Sequence, residues 1–225
     1  MSGCLILPVL IVFIVEGRIA DEIAPRGKSE NASQLDDSLR QELLRRFQED
    51  QKARRAVLPL FEKLKISDPA QIKELDLPEV KKLNEIDRRN TDRMKEIVNQ
   101  HGWPGKTLVG ADGANAAWLL VQHADHDLDF QKRCLALMEK SVKQGQASGG
   151  DWAYLTDRVR IAEKRKQLYG TQLRQVNGRW QPLPIEDASN VDQRRKEVGL
   201  PTLADYLKFV ETTFKPKVEQ KDKQP

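Results

Sequence analysis

The sequence predicts a mainly α domain, a multi-helix orthogonal or bundle-like arrangement with one small β-hairpin near residues 170–185. Apolar residues recur at steps of three and four through most of Leu35–Phe209, the spacing that lines one face of a helix. Gly, Pro, Ser and Asp collect between those periodic stretches, where chains stop and turn. The period changes once, in "LYGTQLRQVNGRWQPLPI", where Asn177-Gly178 stands between strand-like flanks and supplies the strongest short hairpin signal.

At the start of the chain, Cys4–Val15 ("CLILPVLIVFIV") is wholly apolar. A dozen such residues are too few to span a bilayer comfortably, but they suit the hydrophobic stretch of an export signal, with small residues placed for cleavage after Gly17. The segment 1–17 is therefore expected to be a signal peptide, which makes the protein periplasmic or extracellular. A short membrane anchor, and a buried strand or misassigned start, are the competing readings, and without export the protein would be cytoplasmic. Residues 18–34 read as a linker and residues 215–225 as a basic disordered tail, which leaves 35–214 as a single helical domain. Asn31-Ala32-Ser33 matches a glycosylation sequon, a pattern common by chance.

The first helix carries Leu35, Leu39, Leu43 and Phe47, and its stripe then meets Gln51 and Arg54 or Arg55 before Pro59, which is expected to interrupt it. A second helix opens at Pro78, a residue suited to a first turn, and its stripe is Val80, Leu83, Asp87, Asn90, Met94 and Ile97. A third, about Asp112–Ala124, is apolar on nearly every side and so is expected at the centre. Asp125 or Asp127 caps a fourth helix ending at Gly145, and a fifth presents Trp152, Leu155, Val159 and Ala162. Beyond the hairpin, Val191–Val198 forms a short helix, and Thr202 caps a last one through Tyr206 and Phe209.

Lys and Arg (38) nearly balance Asp and Glu (34), with the signs interleaved, and no aromatic-studded basic stripe appears, so the composition points away from nucleic acid. Once the apolar start is removed, Cys134 is the sole cysteine, and no disulfide within the chain is possible. No phosphate-binding Gly-rich loop, nucleophile elbow, CxxC pair or HExxH element is present, and no cofactor is expected.

Polar residues set into apolar stripes carry the functional argument. His123 follows the apolar run "AWLLV" after Gln122, one turn beyond Leu119 and Leu120, where an imidazole titrating near neutral pH suits general acid/base work. Asp87, from another helix, is the expected orienting carboxylate. Gln51 and Asn90 interrupt stripes of two separate helices, and unpaired buried amides cost on the order of 1–3 kcal/mol, so these groups should find partners. With Gln122 and Gln172 they are candidates for binding polar substrate atoms, while Arg194 and Arg195 could hold an anionic group. The simpler alternatives are a satisfied polar network that sets helix register, and ordinary ion pairs for the arginines. His123 and His126 with Asp125 and Asp127 have the composition of a metal cluster, but helix caps use the same aspartates, and no metal is assigned.

The segments "EDQKAR" (49–54), "DRRN" (87–90), "HGWPGKTLVGADGANAAWLLVQHADHDLDFQ" (101–131), "YLTDRV" (154–159), "QLYGTQ" (167–172) and "PIEDASNVDQRRKEVGLPTLADY" (184–206) resemble a bacterial family known as domain of unknown function 6624. The resemblance spans nearly all of 35–209. It implies a bacterial helical domain, in some members preceded by an export signal, and implies no activity. From the residues, the favoured function is a small hydrolase-like or lyase-like enzyme with His123 as general acid/base, acting on a small polar or anionic ligand. The rival is a non-catalytic module in which the same groups clasp a ligand or peptide.

Overall fold

The structure, a computed structural model, describes residues 35–64, 75–176 and 179–213. The expected signal segment, linker, glycosylation sequon, basic tail and Asn177-Gly178 lie outside them. In chain order the elements are α1 (Asp37–Lys63), α2 (Pro78–His101), α3 (Lys106–Gln122), α4 (Leu128–Lys143), α5 (Gly149–Ala162), β1 (Leu173–Val176), β2 (Arg179–Pro182), α6 (Val191–Glu197) and α7 (Leu203–Thr213). This is a mainly α fold with one small antiparallel sheet.

α1 begins where the Asp36 carboxylate accepts the Leu39 N–H at 2.9 Å, relieving one of the donors that a first turn leaves unpaired. The helix does not stop at Pro59 as expected but continues to Lys63. Proline removes a single hydrogen bond here, and Ala53 and Val57 keep that end of α1 packed with Val80, Leu83 and Ile86 of α2 in a core of their own, with Leu60 against it. α2 places Pro78 in its first turn and ends at Gly102, whose φ of 71° closes the helix with an N–H to the Val98 carbonyl.

α3 is the central element. Ten of its residues are buried, among them Ala114, Ala116, Ala117, Trp118, Leu119, Leu120 and Val121, as an all-round apolar helix must be. It starts earlier than the expected Asp112 because a short helical turn precedes a break at Gly110, which takes φ 73° and ψ 170°. Only glycine adopts that conformation without strain, and a Cβ there would stand 2.9 Å from Asp112 Oδ1. α1 lies against both α2 and α3, and α4 lies against α5. Edge-on contacts of Trp118 with Tyr154 (6.0 Å) and of Tyr154 with Tyr206 (6.1 Å) tie α3, α5 and α7 together.

Of the two candidate caps for α4, Asp127 is the one used: its carboxylate accepts the Phe130 N–H at 3.0 Å. Ser148 caps α5 through the Asp151 N–H, and the Thr202 hydroxyl accepts the Asp205 N–H as expected. β1 and β2 pair antiparallel, with Gln175 opposite Trp180 and Val176 opposite Arg179, so the hairpin register is the one a two-residue connection at 177–178 requires.

The bend between α5 and β1 is built on Asp157. Its buried carboxylate accepts the N–H groups of Leu168 (2.6 Å), Tyr169 (3.0 Å) and Thr171 (2.9 Å) and the Thr171 hydroxyl (2.9 Å). Gly170 sits inside this bend at φ 69°, in the left-handed region that strains any side chain.

Candidate functional site

The apolar stripes of α1 and α2 and the end of α3 bring Asp50, Gln51, Arg54, Asp87, Asn90 and His123 to the interior, each no more than 4% exposed. α1 contributes Asp50, Gln51 and Arg54 within one turn. Asp87 and Asn90 are a turn apart on the facing stripe of α2, and His123 is the residue on which α3 ends.

Arg54 organises the cluster. Its Nη2 donates to Asp50 Oδ1 at 3.1 Å and also to Asp87, and its Nε lies within 3.3 Å of both Asp50 oxygens and 3.0 Å from His123 Nδ1. His123 Nδ1 is also 2.9 Å from Asp50 Oδ1. A guanidinium can only donate and a carboxylate can only accept, so one ring nitrogen faces both kinds of partner. Donation from Nδ1–H to Asp50 is the charge-assisted arrangement, and it leaves the Arg54 Nε–H to the same carboxylate. The ring then keeps its lone pair at Nε2, which is buried and has no hydrogen-bond partner among the described residues.

Gln51 Nε2 donates to Asp50 Oδ2 at 2.9 Å, which leaves Gln51 Oε1 without a partner among the described residues. Asn90 Oδ1 accepts from Arg46 Nη1 at 3.1 Å, which leaves its Nδ2 likewise. Arg54 Nη1 is in the same condition. Unmet buried capacity is uncommon, and four of the nine such side-chain atoms among the described residues lie on this network.

The electrostatics follow from burial and neighbours. Burial pushes the Asp50 carboxyl up, but the charge of Arg54 and the hydrogen bond to His123 outweigh it and hold it far below the usual carboxylate range. Burial, seconded by the Arg54 charge, pushes His123 below its ordinary value, so the ring is neutral at neutral pH. Arg54 is depressed by burial but raised overall by Asp50 and Asp87, and it stays charged.

Ligand atoms of Asp50, Asp87 and His123 all lie within 4.8 Å of one another, a set that could accept a divalent ion. Arg54, bonded to both carboxylates, already supplies the counter-charge there, and an ion would have to displace it. The other histidine-carboxylate grouping weighed from the sequence does not assemble. His126 is exposed while His123 is buried, Asp125 is held by Arg158 through two bonds of 2.6 Å, and Asp127 caps α4 and pairs with Lys95. His101 is exposed at the end of α2.

The remaining candidates fall elsewhere. Asp87 does reach the cluster, but it does so through Arg54, and the carboxylate that touches the imidazole is Asp50. With its side-chain amide turned to satisfy its neighbours, Gln122 accepts from the Leu155 N–H (3.0 Å) and the Trp118 indole (3.3 Å), joining α3 to α5. Gln172 belongs to the bend around Asp157, donating to Thr171 Oγ1 at 3.0 Å. Arg194 donates to the carbonyls of Leu168, Glu186 and Asp187. Arg195 donates to those of Tyr169 and Pro201 and lies over the Tyr206 ring. Asp50 is the residue that sequence reasoning passed over, and Arg54, one of two arginines noted in the α1 stripe, was given no role in the site. Their signal was present: they are four apart, and Arg54 falls where the α1 stripe should have been apolar.

Outside the cluster, an open groove of about 860 Å³ is lined by Arg46 of α1 and by α2 residues that include Asn84, Arg88, Arg89 and Arg93. Arg46 joins the two, since it lines the groove and also donates to buried Asn90. Among the described residues no helix is long and apolar enough to cross a membrane.

No curated protein and no solved structure matches the chain. A family of unknown function does, over residues 37–219, a span that takes in every element described above and the whole of the buried cluster. The chain is thus a member of that family, the Family of unknown function (DUF6624).

Proposed function

We propose that the chain is a small hydrolase-like or lyase-like enzyme in which His123 Nε2 is the general acid/base and Asp50 fixes the ring. The observation that supports this reading is the Asp50–His123 contact of 2.9 Å at Nδ1 together with an Nε2 that is buried and has no partner among the described residues. A carboxylate at one ring nitrogen sets the tautomer and stabilises the imidazolium that forms when the other takes a proton. Asp87 balances Arg54, and Gln51 and Asn90 present unused amide atoms to the polar groups of a substrate.

The test is hydrolysis or elimination of simple ester, amide and phosphodiester substrates by the full chain, set against His123→Asn and Asp50→Asn. Loss of turnover in the first and a large reduction in the second are expected. The neutral ring is the active base, so activity should fall as pH falls through the His123 pKa. The lowered value puts that acid limb below about 6.5. Turnover retained by His123→Asn defeats the proposal.

One observation favours the second reading, a non-catalytic module in which these groups form a structural polar network: His123 is 1% exposed and Asp50 and Arg54 are fully buried. NMR titration of the imidazole separates the two. A working base titrates reversibly, and a sealed structural ring stays neutral until the fold is lost. Export is part of the same proposal, supported by the apolar run Cys4–Val15. An intact mass lacking residues up to about Gly17 agrees with it, and a soluble product beginning at Met1 opposes it.

A further inference from the structure

We propose that the group taken up beside His123 is a neutral carboxamide and not an anion, an inference that rests on the acid/base reading above. It follows from which atoms of the network are left over. Gln51 faces a carboxylate, which only accepts, so its Nε2 is engaged and its Oε1 is the remaining atom. Asn90 faces a guanidinium, which only donates, so its Oδ1 is engaged and its Nδ2 remains. Arg54 retains one N–H pair at Nη1, and His123 with its Nδ1 proton on Asp50 retains a lone pair at Nε2.

The unused set is therefore two donors, Arg54 Nη1 and Asn90 Nδ2, and two acceptors, Gln51 Oε1 and His123 Nε2. Gln51, Arg54 and His123 all bond directly to Asp50, and Asn90 stands one turn beyond Asp87. A carboxylate ligand would use only the donors, and an ammonium only the acceptors. A carboxamide offers a carbonyl oxygen to the first pair and an N–H to Gln51 Oε1, and His123 Nε2 is left for the attacking water.

Charge points the same way. Asp50 is ionised and touches His123, and the nearest guanidinium is already bonded to Asp50 and Asp87. An incoming anion would meet a buried like charge, whereas a neutral amide adds none.

For such a substrate the chemistry balances as a hydrolysis. The oxygen of water adds to the amide carbon as His123 Nε2 takes the water proton. The carbonyl electron pair moves onto its oxygen, where Arg54 Nη1 and Asn90 Nδ2 donate to the developing charge. Collapse re-forms the carbonyl and breaks the C–N bond. The imidazolium proton leaves with the nitrogen, giving a carboxylic acid and ammonia or an amine. The acid then ionises beside Asp50, which favours its departure.

The probe is acetamide, titrated into the isotope-labelled full chain while the His123 imidazole and Gln51 side-chain amide resonances are followed, with acetate and ethylene glycol as comparisons. Acetamide is expected to shift both residues saturably, and acetate or glycol to do so at least tenfold more weakly. Gln51→Leu should weaken acetamide several-fold, with Gln51→Met as the second variant if the first does not fold. Acetate or glycol binding as well as acetamide overturns the proposal, as does a Gln51 variant that folds and binds acetamide unchanged. The two readings fail separately. If His123 titrates with a lowered pKa but acetamide never saturates, the carboxamide is wrong and the base stands. If His123→Asn retains turnover, the base itself is wrong.

Discussion

Arg54→Met is expected to destabilise the protein by about 3–5 kcal/mol at pH 7.5, the usual cost of removing one partner from a buried ion pair. The methionine roughly fills the space, so the loss is electrostatic. Arg54 is fully buried and donates to Asp50 Oδ1 at 3.1 Å and to Asp87, and its removal leaves two buried carboxylates without their shared cation. In the native protein Asp50 lies below its unfolded pKa, so its contribution is present above about pH 4 and is lost on acidification. In the variant the sign reverses. Burial is no longer opposed by Arg54, the carboxyls rise above their unfolded values, and the folded state gains protons as pH falls. The gap between native and variant should therefore be widest at pH 7.5 and narrow by more than 1 kcal/mol at pH 5. Urea unfolding followed by circular dichroism at the two pH values measures both. At about 2–4 °C per kcal/mol for a domain of this size, the melting temperature should drop by roughly 6–20 °C at the higher pH. A loss below about 1 kcal/mol, or one that is the same at both pH values, would refute the assignment of Arg54 as the counter-ion of this cluster.

Gly110→Ala should cost about 1–3 kcal/mol in thermal unfolding, because φ 73° with ψ 170° is strained for any side chain and the new Cβ would press on Asp112. An unchanged melting temperature would mean that the break in α3 relaxes freely. Asp157→Asn should cost about 2 kcal/mol, since an amide turns donors toward the three N–H groups and the hydroxyl that the carboxylate now accepts. Hydrogen exchange should localise the loosening to Leu168–Thr171, and global destabilisation without it would point elsewhere. Elemental analysis of protein purified without chelator should find no stoichiometric divalent metal, because Arg54 occupies the place of a cation between Asp50 and Asp87. One tightly held ion per chain would show that Arg54 gives way to it.

The mainly α character, most of the helix borders and the strand pairing on either side of 177–178 were legible in the sequence, because periodicity, caps and turn chemistry act over a few residues. Pro59 was the local sign that misled. Its effect on backbone hydrogen bonding was read correctly, but the packing of Val57 and Leu60 that carries α1 past it depends on α2, which is distant in sequence. Gly110 misled in the other direction. The expected start at Asp112 missed a short turn, held on the far side of a glycine-only kink.

His123, Asp87, Gln51 and Asn90 could be singled out because a polar residue in an apolar stripe is costly wherever the stripe packs. Their convergence, however, was a matter of how α1, α2 and α3 lie against each other. The sequence alone determined that polar groups would be buried on three helices and that one of them would be an imidazole at a helix end. Only the tertiary structure decided that Arg54 stands between two carboxylates, that Asp50 and not Asp87 holds the ring, and that Gln122, Gln172, Arg194 and Arg195 bond elsewhere. The reason is physical: burial cost is a property of a residue and its stripe, whereas the partner that offsets it comes from another segment and is chosen by packing geometry.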